Sequence, residues 1–201
     1  MTVGLYFGSF NPIHIGHLII ANHILNESQL KQIWFIVSPL NPFKDSTNLM
    51  NEYDRLHLIQ KATENDSRLE ASNIEFSLSR PSYTIHTLAY LKERYPSYSF
   101  SIIMGSDGFQ NLDKWKNSEI IIRDYSLIIY KRPGFEINNT AKANIAVMDA
   151  PLLQISSTHI RNLIAKGKSI RFLVPENVRQ EIEANQYYRS SLENPAKRQA
   201  T

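Results

Sequence analysis

The chain has 201 residues, 42% hydrophobic and 20% charged, with no cysteine. That length suits one hydrophobic core, and the missing cysteines exclude disulfides and thiolate metal sites. The 22 basic residues outnumber 19 acidic ones for a formal charge of +3. They are too scattered for a nucleic-acid footprint but suit a site for polyanionic small molecules.

No apolar run approaches the roughly 18 residues of a membrane span, and no basic-then-apolar leader precedes the first strand-like segment. The expectation is a cytoplasmic protein with neither membrane nor nucleic-acid partners; a homo-oligomer is compatible with the sequence.

Val3 to Phe7 predicts a buried first strand over about residues 2–7. Gly8-Ser9-Phe10-Asn11-Pro12-Ile13-His14-Ile15-Gly16-His17 follows as a turn, leading into a helix over about 16–27. Gln32 to Val37, rich in β-branched and aromatic residues, predicts a second strand. Strand, helix and strand at this spacing imply a right-handed parallel crossover.

Residues 38–46 carry Pro39 and Pro42 without periodicity, so they form a loop on the same sheet edge as the histidine turn. Asn51 is the expected N-cap of a helix with Tyr53, Leu56, Ile59 and Ala62 on its apolar face. Leu69 to Leu78 alternates in part and predicts a third strand.

Arg80 to Thr84 reads as a turn into a helix carrying Ile85, Leu88 and Leu91, which Pro96 stops. Tyr98 to Met104 is the fourth strand, ending at Gly105-Ser106-Asp107-Gly108. A short helix over 118–123 and strands over 126–130 and 145–148 follow. Ser156 or Ser157 caps the next helix, which closes at Gly167. The last helix starts near Pro175 and turns Val178 and Ile182 inward. Residues 1–189 are expected to form one domain, with the polar end 190–201 a disordered tail.

Strands alternating with helices predict an α/β fold: a doubly wound parallel sheet, Rossmann-like, with strand order 3-2-1-4-5-6. The reversal point then lies between the first and fourth strands, where ligands bind outside the carboxyl ends. The histidine turn and Gly105-Ser106-Asp107 should therefore face one crevice. Neither a Walker loop nor a dinucleotide fingerprint is present, which leaves helix N-termini and His, Lys and Arg side chains to hold phosphate. His14 and His17, three apart at a helix start, place both rings on one side, while Gly16 lets a ligand approach the backbone.

The ten-residue turn resembles the N-terminal Gly-Ser-Phe-Asp-Pro-x-His-x-Gly-His signature of the His-x-Gly-His nucleotidyltransferases, with Asn11 in place of Asp. A second signature, Ile-Ser-Ser-Thr-x-Ile-Arg, is matched by Ile155 to Arg161. Within that superfamily the chain is similar to the bacterial nicotinate-nucleotide adenylyltransferases. The narrower likeness rests on Pro81-Ser82-Tyr83-Thr84, on Gly105-Ser106-Asp107 with Leu112-x-x-Trp115, and on Lys44 in the proline loop. Besides Asn11, the departures are Phe43 before Lys44, His86, and Lys116 after the tryptophan.

The resemblance implies adenylyl transfer from ATP to nicotinate mononucleotide, with Mg²⁺ bound on the ATP. It implies catalytic roles for His14, His17 and Arg161. ATP would be held by Gly8, Ser9, Phe10, His14, Gly16 and His17 on the first turn, by Gly105 and Asp107, and by Ile155, Ser156, Ser157, Thr158 and Arg161. The mononucleotide would meet Asn11, Lys44, Ser82, Tyr83, Thr84, Trp115 and Arg132. No metal-ligating side chains are expected. Asp107 has a second reading, as a cap of the helix that follows it. The competing functions are adenylyl transfer to nicotinamide mononucleotide or phosphopantetheine, and a catalytically silent nucleotide-binding regulator.

Overall fold

The computed structural model describes residues 1–40, 48–139, 142–151 and 153–189; Lys44 and the tail 190–201 lie outside them. In chain order the elements are β1 (Thr2–Gly8), α1 (Ile15–Glu27), β2 (Gln32–Val37), α2 (Glu52–Thr63) and β3 (Leu69–Ser72). Then come α3 (Thr84–Arg94), β4 (Ser99–Gly105), α4 (Ser106–Phe109), α5 (Ser118–Asp124), β5 (Ser126–Tyr130), β6 (Ile145–Met148), α6 (Ser157–Ala165) and α7 (Glu176–Ala184).

The six strands form one sheet of order β3-β2-β1-β4-β5-β6, the order expected from the alternation of elements. Every pairing is parallel, with Leu5 opposite Trp34 on one side and Ile102 on the other. Because strand side chains alternate, the near-continuous apolar runs feed two cores. Tyr6, Phe35, Ile103 and Ile128 face one layer, which Ile20 and Ile24 of α1, Ile59 of α2, Ile160 of α6 and Val178 and Ile182 of α7 complete. Leu5, Ile36, Ile102 and Ile129 face the other, closed by Leu88 and Leu91 of α3 and Ile121 of α5. Among the described residues, no helix is long and apolar enough to cross a membrane.

Two elements differ from expectation. The third strand stops at Ser72, and Ile74–Ser77 form a 3-10 turn instead of its continuation. The Ser72 hydroxyl accepts from the Ile74 amide at 3.5 Å, a local bond that competes with a ladder, and Glu75 turns inward. In α2, Asn51 caps as expected, accepting from the Tyr53 amide at 2.8 Å. Tyr53 itself is 62% exposed, and the inward face carries Arg55, Leu56, Leu58 and Ile59.

Arg55 is fully buried. Its guanidinium donates to the carbonyls of Ser9 at 2.6 Å, Ser38 at 2.9 Å, Pro39 at 3.3 Å and Met50 at 2.8 Å. These carbonyls belong to the turn after β1, the exit of β2 and the entrance of α2. One side chain thus fixes the relative positions of three segments around the carboxyl edge of the sheet. Arg55→Leu would leave those acceptors without their donor, at a cost of about 3 kcal/mol or more. Urea denaturation measures this, and a loss under about 1 kcal/mol would contradict the assigned weight.

Candidate active site

A crevice of about 590 Å³ opens at the carboxyl ends of β1 and β4. Gly8, Ser9, Phe10, Asn11 and His17 line it from the first turn, and Gly105, Asp107 and Gly108 from the turn across the switch point. Ser82, Tyr83, Thr84 and Trp115 contribute one end, and Ser157, Thr158 and Arg161 another part of the wall. The expected facing of the two turns is therefore met. Of the other candidate residues, His14, Gly16, Ile155 and Ser156 do not line the crevice.

The first turn is shaped by close packing. Phe10 adopts φ of 46°, an unusual value for a bulky residue, and its ring lies against Tyr6, Phe35 and His17. A Cβ at Gly8 would stand 2.8 Å from that ring, so only glycine fits beneath it. His14 and His17 stack with centroids 3.7 Å apart. The His14 amide donates to His17 Nδ1 at 3.3 Å. A neutral His17 therefore carries its proton on Nε2, the tautomer that donates from the far side of the ring.

His14 is the buried ring of this stack, 6% exposed, with Nδ1 unbonded. Burial, reinforced by the charge of Arg132, holds it down at about 4. At neutral pH it is an uncharged support for His17.

The distant serine-rich signature docks directly on this turn. Ser156 caps α6, accepting from the His159 amide at 3.1 Å. The Ser157 hydroxyl donates to the Pro12 carbonyl at 2.8 Å. Arg161 donates to the Asn11 carbonyl at 2.7 Å and to the Thr158 hydroxyl at 3.2 Å. The start of α6 and the start of α1 thus converge on one edge of the crevice.

Across the switch point, Arg132 is within 3.4 Å of Asp107 and donates to the Tyr130 hydroxyl at 3.1 Å. Its amide donates to the Ser106 hydroxyl at 2.9 Å. The capping alternative for Asp107 is not what α4 uses: Gly105 holds the N-cap position without a side-chain bond, and Asp107 pairs with Arg132. At the remaining end, α3 begins at Thr84 with Tyr83 as N-cap, and the Lys116 ammonium lies 4.6 Å above the Tyr83 ring.

Residues 5–163 match the family profile described as cytidylyltransferase-like. A Cytophaga hutchinsonii protein named "Probable nicotinate-nucleotide adenylyltransferase" is 46% identical over 189 residues, 94% of this chain and 98% of its own. A Flavobacterium johnsoniae protein of the same name is 45% identical over 192 residues, 94% of this chain and all of its own. The chain belongs to the nicotinate-nucleotide adenylyltransferase family. The fold agrees with solved structures of Plasmodium falciparum nicotinic acid mononucleotide adenylyltransferase. The complex with NaAD superposes with a TM-score of 0.79 over 93% of this chain and 97% of that one, at 23% identity.

Several residues around the crevice have no counterpart in the motif reading. Arg55 sits beneath the family's first signature, yet arginine is exposed by default and no motif singles it out. Glu75 is 1% exposed and accepts from the Thr87 hydroxyl at 2.7 Å, while burial pushes its carboxyl up. It lines the crevice beside Ser82, within what alternation reads as strand. Leu40 and Leu49 complete the wall between the first turn and Ser82.

The burial of neutral His14 has a consequence for stability. The unfolded chain takes up this proton near pH 6.5 and the folded chain only near 4. Stability complete above the unfolded value is thus lost as pH falls through that window, by on the order of 3 kcal/mol. His14→Gln should flatten the stability profile between about pH 7 and about pH 4.5, read by urea denaturation, and an unchanged slope would contradict a buried neutral ring.

Proposed function

We propose that the crevice joins the two substrates named by the family: it transfers adenylate from MgATP to nicotinate mononucleotide. The observation that carries this reading is the docking of Ser157 and Arg161 on the Asn11–Pro12 carbonyls, which sets two anion-binding elements at one edge of the crevice. A phosphate oxygen of the mononucleotide attacks the α-phosphorus of ATP. A new P–O bond forms, the bond to the bridging oxygen breaks, and pyrophosphate departs with the electron pair. The nucleophile is already an anion, so the protein has to align two polyanions and stabilise charge on the leaving group.

His17 Nε2–H and the Arg161 guanidinium serve as the donors, with Gly8, Ser9, Phe10, Thr158, Gly105 and Asp107 shaping the ATP half. His14 acts through the stack, by orienting His17, and Gly16, Ile155 and Ser156 support the two helix starts. Ser82, Tyr83, Thr84 and Trp115 form the mononucleotide half, with Arg132 a second cation between the halves and Lys44 a further phosphate ligand from the proline loop.

Among the described residues no three His, Asp or Glu side chains come together to hold a metal. In the proposed reaction Mg²⁺ would arrive on the triphosphate, because this ion keeps water and phosphate ligands. Preference for the acid over the amide is supported by charge. The N-terminal end of α3 and the nearby Lys116 ammonium both favour a carboxylate on the ring.

The test is pyrophosphate release from ATP and Mg²⁺ with either pyridine mononucleotide. Release with the nicotinate form, at a higher kcat/KM than with the nicotinamide form, is expected. No release with either would overturn the reading. His17→Ala should lower kcat by more than ~100-fold, the scale of losing a transition-state donor.

A further inference from the structure

Asn11 is the one position of the first signature where this chain departs from the pattern it resembles, and the residue is 7% exposed. Its Nδ2 donates to the Asn48 carbonyl at 2.9 Å, and its Oδ1 accepts from the Met50 amide at 3.2 Å. Both partners are main-chain groups of fixed polarity, so the orientation of the carboxamide is determined. The two bonds flank residue 49 as a neighbouring strand would, with the side-chain amide standing in for a peptide group. Leu49, held between them, lines the crevice.

We infer that Asn11 is a positioning residue: its carboxamide clamps the Asn48–Met50 segment to the first turn and so sets Leu49 in the crevice wall. The same residue is also held by its carbonyl, since Arg55 donates to the carbonyls of both Met50 and Ser9. The wall continues to the mononucleotide turn, where the Ser82 amide donates to the Leu40 carbonyl at 3.2 Å. An ionised aspartate at position 11 offers only acceptors. It would keep the bond from Met50 but oppose the Asn48 carbonyl with a second lone-pair centre, and the segment would swing away.

The inference rests on the proposed function for its kinetic readout, and a second readout is independent of it. In native-state hydrogen exchange, the Met50 amide should exchange about five- to tenfold faster in Asn11→Ala, the scale of one lost side-chain bond. In kinetics, Asn11→Asp should raise KM for the mononucleotide about five- to tenfold while moving kcat and the ATP KM less than about twofold. In a Leu49→Ala background the same change should add little, because the clamp acts through Leu49. Unchanged Met50 exchange would overturn the clamp. Additive effects of the two substitutions, or equal shifts in both KM values, would overturn its link to the crevice. If the unaltered protein turns over no pyridine mononucleotide, the functional reading fails, and the exchange measurement alone decides the clamp.

Discussion

A buried guanidinium organises the carboxyl edge of this sheet. Among the described residues, the hydrogen bonds of Arg55 go to the carbonyls of Ser9, Ser38, Pro39 and Met50, not to a carboxylate. Taking a cation out of water is costly unless its donors are met, and here burial works against the charged form. The carbonyls meet that cost only if three chain segments stay in register around one side chain. The arrangement therefore couples helix α2 to the turns that end β1 and β2, and through Ser9 to the start of the crevice. Asn11 adds two bonds just upstream, to the Asn48 carbonyl and from the Met50 amide.

On this frame the crevice collects positive potential without a phosphate loop of the glycine-lysine type. Arg161, tied to the Asn11 carbonyl, and Arg132, held by Asp107 and Tyr130, stand on opposite sides of the switch point. His17 is aimed by the His14 amide and by ring stacking. None of these groups is a nucleophile poised beside a base. They are donors with fixed directions, which is what alignment of two anions requires. The neutrality of His14 keeps a further charge out of the stack, where it would compete with Arg132.

Much of this was legible in the chain because the signals were local. Apolar runs rich in β-branched and aromatic residues mark the strands, the third of them too long at its end, and the usual doubly wound order is the one observed. The two signatures pointed to one site although they lie about 145 residues apart, and the Ser157 to Pro12 bond joins them. What escaped depended on tertiary neighbours. Arg55 reads as a solvated helix residue until its four carbonyls are placed around it. Tyr53 fits a spacing of three yet faces solvent, because α2 turns Arg55, Leu56 and Leu58 inward instead. Glu75 lies in a segment that alternates like a strand, but the Ser72 hydroxyl breaks the ladder and Thr87 draws the carboxylate into the wall. His14 and His17 look equivalent in sequence, and only packing separates the buried support from the ring that faces the crevice.

The central claim is that one crevice holds both halves of a dinucleotide, split by the β1–β4 switch point. A crystal structure with bound nicotinate adenine dinucleotide tests it most directly. The adenylate phosphate is expected beside His17 and the first turn of α6, with the pyridine ring between Tyr83, Thr84 and Trp115. A dinucleotide bound with its ends reversed, or bound away from His17 and Trp115, would contradict it.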